Sequence, residues 1–198
     1  MKFKLWKGSK YKRRFGLLIL SESAYCWETG CPKPNHPTEN TVKCWSLDEK
    51  KWNQPGRHKG VYARAITRTL CADANPSYRE RVAAWSSLAY SIYVQRAMQN
   101  SKDRPSKLDF ERAEAPFLEL LNVLRPARVF VTGHQTWDSM PYLDVVTEDR
   151  YRGAYRLKSG QLAWCLAVPH PQSRQKRFQW RDMAGVLADF RKEHLPTH

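Results

Sequence analysis

Three groups of polar side chains follow short apolar runs, and their types suit general acid–base and charge-stabilising chemistry. The run 16–20 (GLLIL) gives way to Ser21-Glu22-Ser23-Ala24-Tyr25, the run 128–132 (RVFVT) to Gly133-His134-Gln135, and the run 162–168 (LAWCLAV) to Pro169-His170-Pro171-Gln172-Ser173-Arg174. A carboxylate such as Glu22 accepts a proton, the Ser23 hydroxyl donates and accepts, and an imidazole such as His170 changes charge near neutral pH. Gln95, which also donates and accepts at once, closes the stretch 91–95 (SIYVQ). Each group also has a plain structural use: Glu22 as the cap of the next turn, Tyr25 as core, Gln95 as a partner for strand-end backbone, His134 as a helix-entry residue. Beside His170 a basic run, Arg174, Lys176, Arg177 and Arg181, suits phosphate contact.

The elements that must position these groups follow from hydrophobic pattern. Runs 16–20, 128–132 and 162–168 are short and continuously apolar, as in strands buried on both faces, and 91–95 leans the same way. Val82, Trp85, Leu88 and Ala89 recur at helical spacing over residues 76–89. Ser106 with Asp109 forms a capping pair ahead of Leu108, Ala113, Phe117, Leu120, Leu121 and Leu124, which predicts a helix kinked at Pro116 and ended by Arg125-Pro126. Met183, Val186, Leu187 and Phe190 predict a final helix over 182–192. Strands separated by helices imply a parallel sheet with helices on both faces, and ligands then bind at the carboxyl ends of the strands. Residues 24–60, with Pro32, Pro34, Pro37 and Pro55, read as mostly loop.

Composition narrows the classes. The chain of 198 residues carries 34 Lys and Arg against 19 Asp and Glu, a net charge of +15 that favours polyanionic partners, nucleic acid ahead of a membrane surface. With 41% apolar residues and eight Trp it can fill a core, which excludes wholesale disorder. No stretch approaches the roughly 18 consecutive apolar residues of a membrane span, and no secretion signal is evident, so a soluble cytoplasmic protein with reduced thiols is expected. Lys12, Arg13 and Arg14 end an acid-free basic arm, residues 1–14, expected to be solvated or to contact phosphate. Glycine-rich phosphate loops, the dinucleotide fingerprint and the zinc-deaminase signature are absent. Cys26, Cys31, His36 and Cys44 are of zinc-binding type but irregularly spaced. Free thiols are the alternative, and no metal is assigned.

The order of these motifs resembles the uracil-DNA glycosylase superfamily, in particular its uncharacterised bacterial members. The likeness rests on the turn 21–25 after the first strand, the His170-Pro171-Gln172-Ser173-Arg174 loop after the last, and between them residues 104–121, 126–133 and Trp137. It covers most of the chain except residues 26–75. The resemblance implies one α/β domain over residues 1–198, a three-layer αβα sandwich with a central four-stranded parallel sheet, residues 91–95 being the fourth strand. It implies a monofunctional DNA glycosylase that hydrolyses the N-glycosidic bond of a flipped-out pyrimidine and leaves an abasic site, acting as a monomer on DNA without a cofactor. His170 matches the donor to the departing base. Glu22 and Ser23 match the turn that places the attacking water, and Tyr25 matches the ring against the C5 edge. Arg174, next to Ser173, matches the wedge that fills the stack. Tyr93 and Gln95 fall where the base edge is read, and Lys176 and Arg177, with Lys12, Arg13 and Arg14, would hold phosphates.

Two departures from the family pattern bear on the substrate. Ser23 stands where the classical enzymes carry Asp, and no Asn occurs in residues 91–95. They point away from plain uracil and toward a modified pyrimidine such as the hydroxymethylated or glucosylated cytosine of phage DNA, with residues 26–60 enlarging the pocket. Base repair or defence against such DNA is the expected setting. The competing expectation is a DNA-binding module that keeps this fold without chemistry.

Overall fold

The computed structural model describes residues 4–25, 37–53, 60–98, 103–172 and 179–193. In chain order these form β1 (Trp6–Lys7), β2 (Leu17–Ser21), β3 (Ala24–Tyr25), α1 (Pro37–Lys43), α2 (Glu49–Asn53), α3 (Val61–Cys71), α4 (Tyr78–Ser86), β4 (Ala89–Ile92), β5 (Ala97–Met98), α5 (Lys107–Leu124), β6 (Arg128–Thr132), α6 (His134–Asp138), β7 (Val145–Val146), β8 (Arg152–Arg156), β9 (Leu162–Val168) and α7 (Trp180–Lys192).

The class is α/β, but the sheet is larger than expected: seven strands in the order β1-β4-β2-β6-β9-β8-β7. The neighbours β4, β2, β6 and β9 run parallel, with Ile19 opposite both Tyr90 and Phe130, and Phe130 opposite Leu166. β1 adds antiparallel to β4, β8 to β9, and β7 to β8, so the whole is mixed. The added strands escape a reading of hydrophobic runs because β1 lies in the basic arm and β8 (RGAYR) alternates with arginine at both ends. β8 lies between β9 and β7 and buries only its three middle residues, too short an apolar run to stand out.

Successive strand residues face opposite layers, as the pleat requires. Leu18, Leu20, Val129, Val131 and Cys165 pack with Phe110, Ala113, Phe117 and Leu121 of α5. Leu17, Ile19, Phe130, Trp164 and Val168 pack on the other side with Val42 of α1, Ile66 of α3, Trp85 of α4, and Leu187 and Phe190 of α7. Ser77 and Ser106 open α4 and α5 with capping boxes completed by Glu80 and Asp109. α5 continues as one helix past Pro116.

The segment read as loop carries two helices, of which α1 belongs to the core. Thr38, Val42 and Ser46 are fully buried, so α1 is part of the wall against β1 and β4. Residues 26–36 and 54–59, and with them Cys26, Cys31 and His36, lie outside the described residues. Among the described residues no group of three or more His, Cys, Asp or Glu is placed to hold a metal, and no helix is long and apolar enough to cross a membrane.

The amino-terminal arm is likewise folded in rather than extended. The Trp6 indole donates to Trp85 O at 3.0 Å, the Gly8 and Lys10 amides to Leu88 O and Ser86 O at 2.9 Å, and the buried Tyr11 hydroxyl to Leu124 O at 3.3 Å. The exposed Lys12, Arg13 and Arg14 follow, with the Arg14 amide donating to Arg125 O at 2.8 Å. Leu88 and Arg125 precede β4 and β6, so these three cations stand at the amino edge of the parallel strands. The chemistry-bearing exits lie at the opposite edge, and the exposure of Lys12, Arg13 and Arg14 fits a solvated arm. Gly8 seats the arm: a Cβ there would collide with backbone atoms of Trp85 and Ser86. Gly8→Ala should therefore cost roughly 1–3 kcal/mol in urea unfolding. An unchanged midpoint would mean that the arm packs less closely than described.

Candidate active site at the carboxyl edge of the sheet

The four parallel strands deliver their next residues to one edge, and backbone bonds beyond the strand ends fix them there. The Tyr93 and Val94 amides donate to Ser21 O and Glu22 O, each at 2.8 Å, which sets the Glu22-Ser23 turn against the exit of β4. The Gly133 amide donates to Val168 O at 2.8 Å and ties the exit of β6 to that of β9. Gly133 has φ 127, and a Cβ on it would lie 3.7 Å from both Cβ and Cδ2 of His170. This positive-φ position thus brings the start of α6 into contact range of the His170 loop.

Glu22 is 6% exposed. Its Oε1 accepts from Arg104 Nη2 at 2.9 Å and from the Ser23 hydroxyl at 3.4 Å, and the same Arg104 nitrogen donates to Gln135 Oε1 at 3.2 Å. Burial raises the Glu22 carboxyl above its ordinary value, against the opposing pull of Arg104 and Ser23.

His170 Nδ1 accepts the Gln172 amide at 3.1 Å. A neutral imidazole that accepts on Nδ1 carries its proton on Nε2. Burial, with the Arg104 charge as a second cause, lowers His170 to about 4, so at pH 7 the ring is neutral and Nε2–H is a donor. The ring stacks on Tyr62 with centroids 5.6 Å apart and planes at 29°. The Tyr62 hydroxyl meets Thr132 Oγ1 at 2.9 Å, and Thr132 donates to Leu20 O at 3.0 Å, so Tyr62 is the donor of the pair. Through Tyr62 the imidazole is referenced to the ends of β2 and β6.

The His170 shift makes stability depend on pH with a definite sign. Because the folded value of about 4 lies below the ordinary 6.5, the unfolded chain binds this proton first on acidification, and stability falls as pH drops from about 6.5 to about 4. The raised Glu22 acts oppositely, its contribution being lost as pH rises past the ordinary carboxylate range. His170→Asn should flatten the acid-side fall by up to roughly 3 kcal/mol in urea unfolding between pH 7 and pH 4. An equal fall in variant and parent would remove His170 as its source.

The other expected site residues are distributed unevenly. Ser23 lies in the turn beside Glu22. Tyr25 is placed as backbone in β3, whose partner β5 pairs it with Met98, and its side chain is outside the described set. Gln95 turns its amide Nε2 back onto Ile92 O at the end of its own strand. Tyr93 does not face the site: its ring is buried under α5, 5.5 Å edge-on to Phe117, with its hydroxyl on Ser139 O at 3.3 Å, which corrects its assignment to the base edge. Ser173, Arg174, Lys176 and Arg177 lie outside the described residues. His134 starts α6 and stacks flat on Tyr151 at 3.8 Å.

Tyr62 and Arg104 are the site residues that sequence reasoning missed, whereas Gln135 belongs to the polar exit read after the 128–132 run, without its partner Arg104. Ala63, Ile66 and Leu70 carry helical spacing that would have revealed α3 and with it Tyr62. Nothing local marks Arg104, whose partner Glu22 is 82 positions away. Next to Gln135 a cleft of about 710 Å³ opens between Pro105, Lys107, Glu114, Asp138 and Tyr142. Its carboxylates make it a poor seat for phosphate. No family model matches the chain, and no curated protein matches it.

Proposed function

We propose that this chain is a monofunctional DNA glycosylase of uracil-DNA glycosylase type, hydrolysing the N-glycosidic bond of a flipped-out pyrimidine to leave an abasic site. The observation that carries the reading is His170: a neutral imidazole whose Nδ1 is already engaged by the Gln172 amide, leaving Nε2–H to donate. Support comes from its setting. The acidic turn follows the first parallel strand, the His-Pro loop follows the last, and the four strands lie side by side in the order second, first, third, fourth. The formal charge of +15 suits a DNA partner.

In this mechanism the target base rotates out of the stack into the pocket at the strand ends. As the bond from the base nitrogen to C1′ breaks, the electron pair goes to the base, and Nε2–H of His170 stabilises the negative charge that reaches its carbonyl oxygen. Water adds to C1′ of the sugar, and its proton passes to the Glu22 carboxylate. The absence of an Asp at Ser23 and of an Asn after β4 favours a C5-modified cytosine over uracil, in repair or in defence against modified phage DNA. One observation favours the inactive binding module instead: Glu22 is ion-paired with Arg104, which weakens it as a base.

Duplex and single-stranded oligonucleotides bearing uracil, hydroxymethylcytosine, glucosylated cytosine or hypoxanthine, treated with alkali after incubation, test the proposal. Strand scission at a pyrimidine position is expected, and scission at none of them would reject it.

A further inference from the structure

We propose that Arg104 is the positioning residue of this site, a guanidinium that ties the Glu22 carboxylate to Gln135 across the exits of β2 and β6. This deepens the glycosylase reading and rests on it for its catalytic meaning. One nitrogen, Nη2, makes both contacts, 2.9 Å to Glu22 Oε1 and 3.2 Å to Gln135 Oε1, so Arg104 links the exit of β2 to α6 after β6.

Arg104 is itself held in place. It sits between Asp103 and the α5 cap residue Ser106, and Arg96 grips both flanks. Arg96 Nη1 and Nη2 donate to the two Asp103 oxygens, and Nε and Nη2 to the two Asp109 oxygens, all at 3.1 Å. Asp109 also accepts the Ser106 amide and hydroxyl, each at 2.9 Å. Arg96 therefore clamps the segment that carries Arg104 without belonging to the Glu22 cluster. A bidentate guanidinium suits such a clamp better than an ammonium.

A positive charge beside these two groups pushes both midpoints down, with opposite chemical outcomes. It favours the ionised form of a carboxylate and disfavours the protonated form of an imidazole. Those are the forms the proposed reaction uses, Glu22 as acceptor and His170 as neutral donor. Among the described residues Arg104 is the charged group acting on each. Tyr62, the titratable group stacked on His170 from α3, keeps its proton because burial raises it far above neutral pH.

The test is side-chain NMR titration of the full chain, following the His170 ring carbon and the Glu22 carboxyl carbon, with assignments from His170→Asn and Glu22→Gln. In Arg104→Gln both midpoints should rise, each by about one pH unit. In Arg104→Lys both should stay within about half a unit of the parent, because the charge is kept. Arg96→Gln, which leaves the guanidinium of Arg104 intact but unclamped, should move both in the same direction by less. A merely structural role predicts otherwise: loosening the site would admit water and bring Glu22 down toward its ordinary value while His170 rises. A fall of the Glu22 midpoint in folded Arg104→Gln, or no movement of either group, overturns the proposal. If Arg104→Gln does not fold, unchanged midpoints in Arg96→Gln together with a Glu22 fall in Arg104→Lys overturn it. None of these readouts needs a substrate. Rising midpoints in a protein that releases no base would leave Arg104 as stated and remove the glycosylase reading alone.

Discussion

Replacing His170 with alanine should slow base release by roughly 10²- to 10³-fold, the usual consequence of removing one preorganised donor to a developing anion. The expectation follows from how the ring is held. Nδ1 is committed to the Gln172 amide, one face rests on Tyr62, and burial keeps the ring neutral, so Nε2–H needs no rearrangement before it donates. In protein–DNA complexes phosphate contacts carry much of the affinity, and a base-facing donor is not one of them, so on the proposed reading binding should change little. Tyr62→Phe keeps the stack and removes only the hydroxyl on Thr132, and should cost far less than His170→Ala. Single-turnover rates and Kd on one substrate separate these effects. A His170→Ala rate within threefold of the parent would remove the imidazole from the chemistry.

Arg81→Met should destabilise the fold by roughly 2–5 kcal/mol, because it leaves buried backbone carbonyls without their donors. Arg81 is 2% exposed and extends three donors in three directions, Nε to Ser46 O, Nη1 to Pro76 O and Nη2 to Glu49 Oε1, each at 2.8 Å. Its guanidinium carbon lies 4.5 Å from the Trp52 ring and 5.7 Å from that of Tyr78. Methionine fills the volume but leaves two backbone carbonyls without their donors, at about 1–3 kcal/mol each where water cannot replace them. These contacts attach α2 and the end of α1 to α4, so amide exchange in residues 37–53 should accelerate before that of the sheet. Urea unfolding measures the total, and a loss below about 1 kcal/mol would mean that Arg81 acts as a surface cation.

The parts legible in the sequence are those whose patterns are local. β6 and β9 have the bounds that their apolar runs predict, and β2 is displaced by one residue. α5 begins where Ser106 and Asp109 place it. The fourth parallel strand sits earlier than residues 91–95, as Ala89–Ile92, and its start is hidden in the sequence because Leu88 and Ala89 continue the helical spacing of α4. β1, β7 and β8 were not legible, since β1 and β7 are two-residue edge strands and β8, between β9 and β7, has arginine at both ends. Glu22, His134 and His170 were legible as polar residues directly after apolar runs. Tyr93 was misread because alternation beyond the end of a strand does not say which layer a ring enters. Arg104 and Gln135 are joined to Glu22 only by the fold, as Arg81 is to Ser46 and Glu49.

Mass spectrometry of the small-molecule fraction after incubation with modified and unmodified DNA shows whether this chain releases a base. A free pyrimidine base is expected, one for each abasic site formed, with release from the His170→Ala protein slower by roughly two to three orders of magnitude. Tight DNA binding with no free base from any of these DNAs, by the parent protein as by the variant, would contradict the glycosylase reading.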